Sequence, residues 1–240
     1  MSQVIAMWAH PRAVSTAFLR MMIARGDTTV VHEPLVTLTD EGKVPLPDGH
    51  GGTVEADSVP AVFAHLARLA RDRPVFFKDT VEYRYQYLFD HPATAAGIEH
   101  TFIVRDPKKA INSHYHMKPT VTRPEIGYEH LYDLFELARA TTGKRPIVVH
   151  AERLLAQPET VVAQYCRAVG LPFIPQALRW QPEDRSEWVR TRKWHIDAIG
   201  SSGFAPTEKQ YDVTVDNNAE LRSFYDYHAP FYEKLVRHAI

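Results

Sequence analysis

The sequence has few of the features that mark secreted or membrane-inserted proteins. Its 240 residues include a single cysteine, Cys166, so no intramolecular disulfide can form, which fits a reducing compartment. No apolar run reaches the roughly 20 residues that a helix needs to cross a bilayer. The N-terminus also lacks the charged-then-apolar pattern of a signal peptide. We therefore expect a cytoplasmic protein that does not bind membranes.

An excess of one charge sign is absent as well. Lys and Arg number 28 against 29 Asp and Glu, which gives a formal net charge of -1. This balance argues against a broad electrostatic surface for nucleic acid or anionic lipid, so any anion site must be local. Hydrophobic residues at 45% and charged residues at 24% are typical of a folded globular chain. The length favours one domain over residues 1–240, and the oligomeric state is not indicated.

Short apolar runs alternate with segments of helical periodicity along most of the chain. This alternation predicts an α/β fold, with a doubly wound, mainly parallel sheet flanked by helices. The predicted strands are Val4–Ala9, Thr28–Val31, Pro74–Phe77, Thr101–Val104 and Pro146–Val149. The predicted helices begin at Ser15 and after Pro107, or cover Val59–Arg71, Tyr128–Thr142, Pro158–Val169 and the tail beyond Asp216, where Pro230 should disturb the helix. Such sheets bind ligands at the carboxyl ends of their strands.

Two segments rich in glycine or proline interrupt this alternation. They are Thr39–Thr53 and Lys118–Gly127. Both are interpreted as loops over the carboxyl edge of the sheet. They are either a lid over an acceptor or ordinary surface loops.

The first candidate site is the loop His10–Thr16, between the first strand and the first helix. Backbone N–H groups at a helix N-terminus, the hydroxyls of Ser15 and Thr16, and the Arg12 guanidinium together suit a phosphate. The loop lacks the Gly-Lys-Ser/Thr ending of the ATP-binding Walker motif, which weakens a kinase interpretation. The simpler alternative is that Ser15 caps the helix and Arg12 is solvated.

A second candidate site follows the strand Thr101–Val104. Arg105 leaves this strand at the same sheet edge, and Ser113 follows eight positions later on the next helix. Arg105 can offer two parallel hydrogen bonds to a second phosphate, and Ser113 a third. The alternative is an arginine at a strand end and a serine facing solvent.

In this order, the two segments resemble the phosphate-binding elements of sulfotransferases that use 3′-phosphoadenosine 5′-phosphosulfate (PAPS). Pro11–Thr16 is similar to the family's 5′-phosphosulfate loop, and Arg105 through Ser113 is similar to its 3′-phosphate element. The resemblance implies a P-loop-type α/β fold, no metal, and 3′-phosphoadenosine 5′-phosphate (PAP) as product. The residues that it implies in nucleotide binding are Arg12, Ala13, Val14, Ser15, Thr16, Ala17, Arg105 and Ser113.

Sulfuryl transfer needs cations near the moving group and a base for the acceptor proton. Arg12 is the first predicted catalytic cation. Lys78, at the end of the predicted strand Pro74–Phe77, resembles a family lysine that contacts the bridging or sulfuryl oxygens; the alternative is a surface lysine.

The position of the base departs from the pattern of several cytosolic members. They carry a histidine two residues after this lysine, where this chain has Thr80. Glu33 is the predicted base, because some bacterial members have a glutamate before proline after the second strand, and partial burial would raise its pKa. His32 is the fallback base, and the alternative roles for Glu33 are a helix cap or a salt bridge to Arg12.

A late basic cluster is only loosely similar to the family's loop over the 3′-phosphate and adenine. It consists of Arg190, Arg192 and Lys193 next to Trp194. A solvated charged turn is equally compatible with it.

The expected reaction is transfer of the sulfuryl group from PAPS to a hydroxyl or amine of a small-molecule acceptor. Two other functions stay open at this point, a P-loop small-molecule kinase and a nucleotide-binding regulatory protein without transfer activity. The sequence does not identify the acceptor, because acceptor pockets are built from variable loops.

Overall fold

The computed structural model describes residues 3–189, 191–206 and 209–240. Five short apolar segments form its central sheet, in the order β2-β5-β1-β6-β7, and every neighbouring pair is parallel. The strands are β1 Val4–Ala9, β2 Thr29–His32, β5 Val75–Thr80, β6 Ile98–Val104 and β7 Ile147–His150, with β3 Val44–Pro47 and β4 Thr53–Ala56 in a separate antiparallel pair. The predicted mainly parallel sheet is therefore confirmed.

Helices cover both faces of the sheet. They are α1 Ser15–Arg25, α2 Pro34–Glu41, α3 Val59–Leu69, α4 Gln86–Asp90, α5 Pro107–Met117, α6 Tyr128–Thr142, α7 Ala151–Ala156, α8 Pro158–Ala168, α9 Arg192–Ile199 and α10 Ala219–Val236. No helix in the described ranges is long and apolar enough to span a membrane. The sequence did not predict α2, α4, α7 or α9.

The core lies on both sides of the sheet because β1 is apolar at every position. Its alternate residues enter different clusters, with Trp8 on one face and Met7 on the other. The Trp8 indole packs edge-on against Phe77, with ring centroids 5.4 Å apart, and its N–H donates to His100 Nδ1 at 2.9 Å. Both clusters bury β1 completely, which fixes the position of the loop that follows it.

The segment Thr39–Thr53 is not the loop that its composition indicates. It contains the end of α2, all of β3 and the turn into β4. Val44 and Leu46 alternate with prolines, and their side chains are buried in the core cluster of the α2 side. An edge hairpin tolerates these prolines because a proline that faces outward loses no ladder hydrogen bond.

Two further predictions differ from the structure. Lys78 lies within β5 and not at its end, because the strand continues to Thr80. The helix α10 is continuous through Pro230, where the sequence predicts a disturbance. The segment Lys118–Gly127 is largely irregular, as predicted, with a 3₁₀ turn at Pro124–Ile126.

Candidate functional site

The loop between β1 and α1 has an unusual backbone. Arg12 and Val14 both have positive φ values, 67° and 69°, a conformation that costs on the order of 1–3 kcal/mol for a residue other than glycine. Val14 is the N-cap residue of α1, and no side chain caps this helix end. The alternative in which Ser15 only caps the helix is therefore wrong. Loops that alternate such conformations turn successive N–H groups toward one point, where an anion can bind.

Arg12 joins the two segments that the sequence predicts to bind phosphate. Its Nε donates to Ser113 Oγ at 3.0 Å, and one Nη donates to the Trp194 carbonyl at 2.7 Å. The other Nη lies 3.5 Å from Asp197 Oδ2. The guanidinium is thus held between the first loop, α5 and α9.

A buried histidine ties Arg105 to the first loop. His10 Nε2 accepts from the Arg105 backbone N–H at 3.0 Å, while its Nδ1 lies 2.8 Å from the Pro11 carbonyl. Burial lowers the pKa of His10 to about 3, so the ring is neutral and Nε2 keeps its lone pair. The ring stacks on Tyr128 at 3.9 Å, and the Tyr128 hydroxyl donates to the Arg105 carbonyl at 2.6 Å.

The Arg105 side chain also reaches the first loop. One Nη donates to the Arg12 carbonyl at 3.1 Å, and Nε lies 3.9 Å from Glu152. The sequence predicts Arg105 at the sheet edge, and the structure places it there. The sequence does not single out His10. The available sequence signal for His10 was its position directly after the first strand. Its role depends on Arg105, which is 95 residues away in the sequence.

Glu33 forms an ion pair with Lys78, and both side chains are buried. The pairing follows from the sheet, because β2 and β5 are neighbours and His32 is opposite Lys78. Glu33 itself has a φ of 46° and its N–H donates to the Lys78 carbonyl at 2.7 Å. Of the alternative roles, the salt bridge to Arg12 is wrong, whereas Glu33 does occupy the N-cap position of α2, without a capping hydrogen bond from its side chain.

The charge environment of Glu33 is the reverse of the predicted one. Burial raises the pKa of this carboxyl, but Lys78, His32 and His195 together outweigh burial and lower it to about 2. The expectation of a raised pKa is wrong because it considered burial without the lysine on the neighbouring strand. Glu33 is thus ionised throughout the physiological range.

Asp79, next to Lys78 in β5, anchors the helix that follows Glu33. Its carboxylate accepts from the backbone N–H groups of Leu35 and Val36, at 2.6 and 3.2 Å. Burial raises the pKa of Asp79 to about 7 against these hydrogen bonds. The start of α2, and with it Glu33, is held in place by this side chain.

His195 of α9 is a site residue that sequence reasoning missed. It lies between two hydroxyls, with Nδ1 3.2 Å from Thr16 Oγ1 and Nε2 3.0 Å from Thr191 Oγ1. Burial lowers the pKa of His195 to about 3. Its ring is 4.9 Å from that of His32.

His32, Glu33 and His195 offer ligand atoms within 4.8 Å of one another, a spacing that a metal ion could bridge. The Lys78 ammonium already binds the Glu33 carboxylate there and would repel a second cation. We assign no metal to this cluster, and the predicted absence of a metal stays a prediction.

Two cations of the late basic cluster, Arg192 and Lys193, lie outside the site, although the helix α9 that carries them contributes to it. Arg190 lies outside the described residues. Arg192 pairs with Asp184 at 2.6 Å, and Lys193 lies over the Trp194 ring. Neither of these two side chains lines the cavity that Arg12, Lys78 and Arg105 share.

One cavity of about 600 Å³ is lined by the ten residues that the sequence predicts for nucleotide binding and catalysis, but not by the fallback base His32. This volume is in the usual range for small-molecule and cofactor sites. Its walls include Arg12, Ala13, Val14, Ser15, Thr16, Ala17, Glu33, Lys78, Arg105 and Ser113, and also Thr80, Glu82, Trp194, His195, Asp197, Gly203 and Phe204.

Comparison with known proteins shows the family of this chain. A family model described as "Sulfotransferase domain" matches residues 3–238. The chain belongs to the sulfotransferase domain family. The sulfotransferase domain of the olefin synthase from Synechococcus PCC 7002 has the same fold, with a TM-score of 0.60 at 14% identity over 95% of this chain and 94% of that one.

Two curated plant proteins also match this sulfotransferase domain. They are the branched-chain-amino-acid aminotransferase-like proteins 1 and 2 of Arabidopsis thaliana, each 25% identical over 86% of this chain. The match covers 37% of the length of each plant protein.

Proposed function

We propose that the domain transfers the sulfuryl group of PAPS to a hydroxyl or amine of a small-molecule acceptor and releases PAP. The observation that carries this proposal is the meeting of both phosphate-binding candidates in one cavity. Arg12 donates to Ser113, and Arg105 donates to the Arg12 carbonyl. A nucleotide with phosphates at both its 5′ and 3′ positions is the ligand class that would use both elements.

In this proposal the 5′-phosphosulfate binds at the first loop, against the N–H groups at the start of α1 and the hydroxyls of Ser15 and Thr16. The 3′-phosphate binds to Arg105 and Ser113. Ala13, Val14 and Ala17 line the same wall of the cavity. They would contribute backbone groups and let the nucleotide approach the loop closely. Arg12 lies between the two phosphate positions.

Charge builds up on the leaving phosphate as the bond from sulfur to the bridging oxygen breaks. Arg12 and Lys78 are the cations that line the cavity close to the first loop and β5, and they would stabilise this charge. Lys78 would exchange part of its contact with Glu33 for the sulfuryl oxygens. Arg12 would exchange its contact with the half-exposed Asp197 for phosphate.

Glu33 has two candidate roles in this reaction. It can hold Lys78 in position, which its ion pair supports, or it can accept the acceptor's proton, as the sequence predicts. A carboxyl with a pKa of about 2 is a weak proton acceptor while Lys78 stays paired with it.

Calorimetric titration with PAP, with ADP and with Mg-ATP tests the proposal. We expect micromolar or tighter binding of PAP and much weaker binding of ADP, which lacks the 3′-phosphate. A preference for Mg-ATP would contradict the proposal and favour a kinase. PAP binding without sulfated product across an acceptor panel would favour a regulatory nucleotide-binding protein instead.

A further inference from the structure

Among the residues that the structure describes, Glu82 is the carboxylate of the cavity without a hydrogen bond or ion pair. It lies two residues beyond the end of β5 and shares the cavity wall with Lys78, Thr80 and Glu33. Its side chain is half-buried, yet it has no hydrogen bond or ion pair with any residue in the ranges 3–189, 191–206 and 209–240. Leaving a charged group partly desolvated and unpaired is costly, and active sites retain such groups for use in the reaction.

The backbone beside Glu82 is fixed on both sides. The Val81 N–H donates to the Ala9 carbonyl at 2.9 Å, which extends the pairing of β5 with β1. The Val81 carbonyl lies 3.0 Å from His130 Nδ1 on α6. Because Ala9 immediately precedes the first loop, Glu82 is held at a constant position relative to the proposed donor site.

The groups that face Glu82 come from several elements. Glu33 precedes α2, Asp40 lies on α2, Lys78 is in β5, and Lys118 follows α5. Burial, reinforced by Glu33 and Asp40, raises the pKa of Glu82 to about 7, while Lys78 and Lys118 oppose the shift. Glu33 has the opposite environment, because the Lys78 ammonium is in direct contact with it.

We propose that Glu82 accepts the proton of the acceptor during sulfuryl transfer, and that Glu33 positions Lys78. This inference rests on the proposed function and deepens it. The acceptor oxygen or nitrogen bonds to sulfur, and the bond from sulfur to the 5′-phosphate oxygen breaks. The electron pair of that bond leaves with PAP, and the acceptor's proton moves to the Glu82 carboxylate. The oxygens of this carboxylate accept no hydrogen bond from any residue in the described ranges.

The kinetic test compares three isosteric variants, Glu82→Gln, Glu33→Gln and the control Glu136→Gln on α6, outside the cavity. Release of PAP from PAPS is followed between pH 5.5 and 9, with water and a panel of alcohols as acceptors, because alcohols do not ionise in this range. For the wild type we expect the rate to rise with pH through about 7. Glu82→Gln should lower the rate by about 10²–10⁴-fold and remove this rise, because the proton has no acceptor.

PAP affinity separates this role from a defect in donor binding. Glu82→Gln and the control should bind PAP as the wild type does. Glu33→Gln should slow transfer through the loss of Lys78 positioning, but keep a rise with pH, moved below pH 7 because one carboxylate that raises the pKa of Glu82 is lost. The inference is overturned if Glu82→Gln keeps the wild-type rate and pH profile, or if Glu33→Gln alone removes the rise.

A measurement without turnover keeps the inference testable should the proposed function fail. In protein labelled with ¹³C at the glutamate carboxyl carbons and loaded with PAP, one carboxyl resonance should titrate near pH 7 and be absent in Glu82→Gln. Titration of that resonance below pH 5 would overturn the inference whatever the activity. Failure of PAP to bind would instead count against the proposed function.

Discussion

Strand β1 divides the cavity into two halves of different chemistry. On the side of β6 and α5, Arg12, Arg105 and Ser113 are hydrogen-bonded to one another or to the first loop. On the side of β5 and β2, Lys78 is paired with one carboxylate while Glu82 has no direct partner within the described ranges. The first half is cationic and suits phosphate binding. The second half contains the Glu82 carboxylate, which suits proton transfer. In the proposed reaction, donor binding and acceptor activation therefore lie on opposite sides of one strand.

The largest expected effect is that of a substitution at Lys78, in the second half of the cavity. Lys78→Met should lower the transfer rate by about 10²–10³-fold, because a charge-stabilising donor is lost. It should also lower the free energy of unfolding by about 3–5 kcal/mol, because the buried Glu33 loses its ammonium partner. The measurements are single-turnover transfer and urea unfolding.

A double variant separates these two effects. Adding Glu33→Gln to Lys78→Met removes this buried charge, so most of the stability should return while the activity does not. A Lys78→Met protein as stable as the wild type would contradict the buried ion pair.

A smaller effect tests the first half. Arg105→Ala should weaken PAP binding by about 10–100-fold, the loss expected for one or two hydrogen bonds to a charged group. Adenosine 5′-phosphosulfate, which has no 3′-phosphate, should lose much less affinity. Calorimetry with both nucleotides is the measurement, with Arg139→Ala on α6 as the control. Equal weakening of both ligands would contradict a role at the 3′-phosphate.

The smallest expected effect concerns the contact between the first loop and α9. Asp197 lies 3.5 Å from the Arg12 guanidinium and is half-exposed, so this ion pair contributes at most about 1 kcal/mol. Asp197→Asn should therefore tighten PAP binding by no more than about fivefold, because one competitor for Arg12 is removed. A weaker affinity in the calorimeter would mean that Asp197 supports the donor site instead of competing with it.

The sequence alone determined the fold and the grouping of the two phosphate-binding candidates. Apolar runs alternating with helical periodicity predict a parallel sheet, and the carboxyl ends of its strands share one edge. Arg12 and Arg105 follow two such strands, so their proximity could be expected without coordinates. Each phosphate-binding candidate is also contiguous in the chain, and local order is what a sequence pattern reports.

Only the tertiary structure decided the chemistry of the other half. Glu33 and Lys78 are 45 residues apart, and the register of β2 with β5 brings them together. The direction of a pKa shift depends on which charges are nearest in space, so burial alone gave the wrong sign for Glu33. Glu82 and His195 belong to no motif, and they became site residues only because folding placed them on the wall of the same cavity.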